Sequence, residues 1–131
     1  MFLYRGTPVP ENFPELRNYE CVFFTSTILM ASEYAAGEGT SSASTSGYVQ
    51  KYAIRRPRLF NFKEGRSWET GEEFESPSKG FVKSLRDVGY VGVRAGEDIY
   101  LFDLEGLHLL DRWAVRYEES TDRFCYSESL L

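Results

Sequence analysis

The sequence predicts an α+β fold in a single domain spanning residues 1–131, and three observations carry that reading. Short runs of aromatic and β-branched residues recur along the whole chain, as strands require. Only two stretches have a helical period, and they interrupt the strands without regular alternation, so a simple parallel βαβ array is not expected. Size is the third. With 131 residues, 42% of them hydrophobic and 16% aromatic, the chain can bury a core without metal or disulfide staples.

Residues 2–5 read as a strand ended by Gly6, and Pro8, Pro10 and Pro14 make the next segment an ordered loop. Val22, Phe23 and Phe24 form the centre of a second strand over residues 20–25. Ser26 or Thr27 can cap the next helix, because a hydroxyl there accepts from an orphan N–H of the first turn. Ile28, Ala31 and Ala35 supply its apolar positions, and Gly37 is placed to end it in a left-handed conformation. Residues 39–47 form a polar, low-complexity loop. Residues 48–55 alternate as a half-exposed strand, and residues 59–62 come after Pro57 as another. Residues 63–75 are a charged excursion. A second helix opens with Ser76 as cap and Pro77 at its first position, turns Phe81, Val82, Leu85 and Val88 to one face, and stops at Gly89. Residues 90–94, 98–102 and 112–117 read as strands, with turns at Gly96 and Gly106.

Composition narrows the function. A formal charge of −5 argues against nucleic acid, which needs a surplus of Lys and Arg on one face; Arg55, Arg56 and Arg58 read as a solvated strand end. Cys21 and Cys125 have no metal-ligand spacing, so no zinc or other metal is expected, while a single disulfide stays open. The first residues contain no charged leader followed by a long apolar run, so neither a signal peptide nor a membrane span is expected. The expected location is a cytoplasm, either the producing cell's or that of a cell into which the protein is delivered. His108 is the single histidine and sits on an apolar stretch, so a structural role is expected and no nucleophilic triad is available. GxGxxG and P-loop patterns are absent, and a nucleotide would have to be held some other way.

Three separated pieces can carry chemistry. In Leu3-Tyr4-Arg5-Gly6-Thr7, an Arg at a strand end offers a guanidinium fork to phosphate or ribose oxygens, and Gly6 offers a backbone that a flat ligand can approach. Phe23 on the second strand and Tyr34 on the first helix can form aromatic walls for a planar cation, whereas Phe24 reads as core. Glu97 and Asp98 open an otherwise apolar strand, where acids are costly to bury and so belong at a rim or in a site. A carboxylate there can stabilise an oxocarbenium-like transition state.

Together these pieces resemble the ADP-ribosyltransferase superfamily over residues 3–110. Arg5-Gly6 looks like the first-strand element, Phe23-Phe24-Thr25 like the second, and Tyr34 falls at the spacing of the ring that stacks on nicotinamide. Asp98, five residues before Asp103, matches the position of the catalytic carboxylate, and Gly89-Tyr90-Val91-Gly92-Val93 resembles the approach to that strand. Features are mixed. Arg5 and Thr25-Ser26-Thr27 are closer to the cholera-toxin-like branch, the rest to the diphtheria-toxin and poly-ADP-ribose polymerase branch. The paired Glu-x-Glu of the former is missing, Phe23 lacks a hydroxyl, Ala31 stands where a Ser is common, and Asp98 is one methylene shorter than Glu.

The resemblance implies a compact split β-sheet core with two main helices, and NAD as co-substrate. It implies mono-ADP-ribosyl transfer to a macromolecule, by preference a protein, in a toxin or effector. NAD hydrolysis and a non-catalytic binding module of the same fold are the alternatives. Asp98 or Glu97 would be catalytic, with Asp98 preferred on its spacing to Asp103. Arg5, Gly6, Thr7, Phe23, Thr25, Ser26 and Tyr34 would bind NAD. The reading requires Arg5, Tyr34 and Asp98 to meet around one cleft.

Overall fold

Period-two burial organises the first strand of the computed structural model, which describes residues 1–11, 13–16, 20–37, 45–62 and 78–131. In β1 (Phe2–Thr7), Leu3 and Thr7 are buried on one side, while Gly6 on the other side abuts a helix. β2 (Val22–Thr25) leads through the Thr27 cap into α1 (Ile28–Ala36). β3 (Ser46–Ala53), β4 (Leu59–Phe62) and α2 (Lys79–Asp87) come next, then β5 (Gly92–Ala95), β6 (Asp98–Leu101), β7 (His108–Glu118) and β8 (Arg123–Tyr126).

The strands form one mixed sheet in the order β4-β5-β6-β2-β1-β3-β7-β8. Among the described strands only β4 and β5 run parallel, because α2 lies between them in the chain and carries the connection across. Every other pairing is antiparallel. The α+β class expected from the sequence is the class of this structure.

The two helices of the described residues lie on the same face. Ala31, Ala35 and Ala36 pack with Val49 and Val115 under α1, and Val82 and Leu85 pack with Val93 and Phe102 under α2. The opposite face buries Leu3, Val22, Phe24, Tyr52, Ile99 and Leu101, with Leu16 and Leu104 packed against them. Residues 8–11 and 13–16 form a strap on this second side: Pro14 is buried, and the Phe13 ring meets Tyr52 edge-on.

α1 approaches the sheet so closely that only glycine fits beneath it. A Cβ on Gly6 would lie 1.9 Å from the Ala31 carbonyl oxygen, and one on Gly47 would lie 2.4 Å from that of Ala35. The cost of two strand glycines is offset by direct helix-on-backbone contact.

Several local expectations change. Gly37 ends α1 with φ −96°, in extended rather than left-handed backbone; its N–H still reaches the Glu33 carbonyl, so the helix closes without a positive φ. Ser78, not Ser76, caps α2, accepting from Phe81 N–H; Ser76 and Pro77 lie outside the described residues, as do residues 63–75. Val88 falls beyond the last turn and is exposed, and Ile28 is exposed at the first turn of α1. Ser46 and Gly47 belong to β3 rather than to a loop, because Gly47 is needed under α1. β7 extends four residues earlier than expected, with His108 exposed at its start, and β8 is an element the sequence did not announce. Gly89, Gly96 and Gly106 take positive φ at the turns expected of them.

Candidate functional site

β6 pairs with β2 despite their distance in the chain, setting Asp98 opposite Thr25 and Tyr100 opposite Phe23. Partners in register share a face. Tyr4 is opposite Thr25 in turn, so Tyr4, Gly6, Phe23, Thr25, Asp98 and Tyr100 all face the helices. Tyr34 on α1 closes the group. Its ring lies 5.0 Å from Phe23 in an edge-on contact, and Tyr100 lies 5.1 Å from Phe23 on the other side.

Asp98 is half-buried at the start of β6, and its Oδ1 is buried with no hydrogen-bond partner. Burial first, and the neighbouring Glu97 second, hold its carboxyl above the ordinary range. Burial also raises the phenols of Tyr34 and Tyr100, and for both Asp98 is the next cause. Cys21, half-buried near Tyr100, is pushed up to about 12 by burial alone. The Asp98 carboxyl and the phenols of Tyr34 and Tyr100 thus influence one another around the Phe23 ring.

Glu97 is exposed in the turn before β6. Its carboxylate accepts from the Ser26 hydroxyl, and its carbonyl accepts from Ser26 N–H at 2.9 Å. Ser26 and Glu97 therefore tie the β2–α1 corner to the β5–β6 turn. Thr25 is fully buried, and its hydroxyl accepts from Thr27 N–H at 3.4 Å.

The sheet does not bring all the expected residues together. Arg5 and Thr7 face the strap, opposite to Tyr34 and Asp98, because their neighbour Gly6 has to face α1 and alternate strand positions point to opposite sides. Arg5 Nε and Nη2 donate to the Glu11 carboxylate at 2.7 and 3.2 Å, and Nη1 donates to the Phe23 carbonyl at 3.0 Å. Thr7 is buried and donates to the Val9 carbonyl at 2.7 Å while accepting from Gln50 Nε2 at 3.0 Å. Gly6 is on the helix face, but the space over its Cα is taken by Ala31. A cleft shared by Arg5, Tyr34 and Asp98 is not what this sheet builds.

Sequence reasoning missed Tyr100 and Glu11. Tyr100 was legible in principle, since it stands two residues after Asp98 and alternation places it on the same face. Nothing in a proline-rich loop distinguishes Glu11. Two surface grooves lie elsewhere, one along β3, β7 and β8 and one beside α1 and β8. One of about 430 Å³ is lined by Gly47, Tyr48 and Cys125, the other of about 780 Å³ by Leu29, Glu33 and Phe124. Among the described residues, both cysteines are free, no cluster of His, Cys, Asp and Glu is fit to hold a metal, and no helix is long and apolar enough to cross a membrane. Compared with protein-family models, curated proteins and solved structures, the chain matches none.

Proposed function

We propose that the chain is an NAD-dependent mono-ADP-ribosyltransferase acting on a protein within a cytoplasm, its own or a target cell's, in a form that gives up the three-residue cleft: Arg5 lies on the other face, and the reading rests on Tyr34 and Asp98 without it. The observation that supports this best is the convergence of Phe23, Tyr34 and Tyr100 on Asp98, whose Oδ1 is buried and unpartnered. An aromatic surface beside a carboxylate suits a planar cation such as the nicotinamidium ring. An unpartnered buried acceptor is costly in the free protein and is relieved by a hydroxyl donor on a ligand.

In this reading the exposed Tyr34 ring stacks face-on against nicotinamide, with Phe23 in edge-on contact beside it. Asp98 accepts from the 2′-hydroxyl of the adjoining ribose and stabilises the positive charge that grows at the anomeric carbon. The bond from that carbon to the nicotinamide nitrogen breaks, and nicotinamide leaves neutral with the electron pair. An acceptor nucleophile then bonds to the carbon and gives its proton to solvent. Asp98 has to be ionised, so the rate rises with pH through the raised carboxyl value. Thr25 and the Ser26–Glu97 pair hold the corner from which Asp98 and α1 both start.

Nicotinamide release from NAD by the wild type and Asp98→Asn tests this. A fall of about 100-fold or more in the variant is expected, the scale of removing one preorganised electrostatic group. Mass spectrometry of proteins incubated with NAD then separates transfer from hydrolysis, since only transfer leaves ADP-ribose adducts. Equal rates in wild type and variant overturn the assignment of Asp98, and no calorimetric heat with NAD overturns the reading as a whole.

A further inference from the structure

From the strap face, the side chain of Arg5 reaches the backbone of β2. β1 and β2 share a single paired position, Tyr4 opposite Thr25. Beside it, the Phe23 carbonyl is met by a side chain, Arg5 Nη1 at 3.0 Å. Nε and Nη2 of the same guanidinium are held by both Glu11 oxygens, at 2.7 and 3.2 Å. Such a two-pronged pair fixes the plane of a guanidinium as a single contact does not. Glu11 is itself anchored, because its backbone carbonyl accepts from Arg112 Nη2 at 2.5 Å. Arg112 and Gln50 are partners across β3 and β7, and both are buried. A rigid path therefore runs from the strap through Arg5 to the backbone of the residue whose ring, on the far side, touches both Tyr34 and Tyr100.

We propose that Arg5 and Glu11 are positioning residues for the helix-face site: gripped by Glu11, Arg5 fixes the Phe23 carbonyl and thereby the three-ring wall beside Asp98. The kinetic part of this inference rests on reading that wall as the nicotinamide site; the structural part does not. Lysine cannot replace Arg5, because one ammonium on a flexible stem cannot hold the Glu11 carboxylate and the Phe23 carbonyl in one plane.

Arg5→Lys and Glu11→Gln test it, with the ring chemical shifts of Phe23, Tyr34 and Tyr100 tracked residue by residue by NMR near neutral pH. All three sets of shifts are expected to move in both variants while far-UV circular dichroism stays unchanged, although neither substituted side chain lies on the rings' face. With NAD, KM is expected to rise about tenfold and kcat to stay within about twofold, the signature of lost ground-state placement. Folded variants whose Phe23, Tyr34 and Tyr100 ring shifts match those of the wild type overturn the proposal. Should both variants fail to fold, the wild type decides: slow exchange of Arg5 Nε–H, with a through-hydrogen-bond correlation from Arg5 to the Phe23 carbonyl, supports the grip, and free exchange overturns it. A wild type that releases no nicotinamide removes the site reading and leaves the NMR result to decide this one.

Discussion

The two sides of the central strands treat their charged groups in opposite ways. On the strap side, Arg5 is paired with Glu11, Thr7 with Gln50 and the Val9 carbonyl, and the Arg112 guanidinium with the Glu11 backbone, although the buried Tyr52 hydroxyl has no hydrogen-bond partner there. On the helix side, one Asp98 oxygen is buried with no partner, and the carboxyl value rises in consequence. A satisfied polar network confers rigidity, while an unsatisfied acceptor is a free-energy cost that a ligand can relieve. The contrast teaches that the presence of charge does not mark the site here. The guanidinium that attracts attention in the sequence is taken up by the strap-side scaffold, and the acid left wanting a donor is the one on which the proposed site rests.

The largest test removes the helix from its seat. In Gly6→Ala, the added methyl meets backbone rather than a movable side chain, so the cost is about 3 kcal/mol or more, and the thermal midpoint falls by roughly 10 °C or more. A normal midpoint would mean that α1 does not rest on β1, and the helix-side group would then have no fixed geometry. Next in size is Thr7→Val on the strap side. It strips the Gln50 amide of its acceptor and should lower stability by about 1–3 kcal/mol in chemical denaturation. No loss there would erase the contrast between the faces.

The smallest effect has the opposite sign. Asp98 holds its proton to higher pH in the folded chain than in the unfolded one, because burial and then Glu97 disfavour its charge. It therefore opposes folding once pH exceeds its folded value, and has no such effect below the unfolded value. Asp98→Asn should raise the thermal midpoint slightly near neutral pH and leave it unchanged at about pH 3. A lower midpoint at neutral pH would show that the carboxylate has a partner in the folded chain. Paired with Thr7→Val, it asks directly whether losing a polar group costs stability on one side and restores it on the other.

Local chemistry made much of the fold legible. Val22 to Phe24 form a strand for their β-branched and aromatic content, Thr27 caps α1 through its hydroxyl, and Gly89, Gly96 and Gly106 supply positive φ where the chain turns. These depend on neighbours within a few residues, which a sequence displays. β8 escaped because Arg123 to Tyr126 has no strong alternation of its own and is a strand by virtue of pairing with β7. Asp98, Phe23 and Tyr34 were nameable as candidates from residue type and spacing.

What tertiary structure alone decided was facing. A strand has a period of two, so Arg5 and Gly6 were always bound to point to opposite sides, whatever the fold. Which of them would share a side with Tyr34 depended on where α1 came to rest, and α1 rests on Gly6 because no other residue of β1 leaves room for its backbone. Helix placement comes from contacts between segments far apart in the chain, as does the insertion of β6 beside β2. Residue type therefore determined which groups were capable of chemistry, and packing determined which of them stand together.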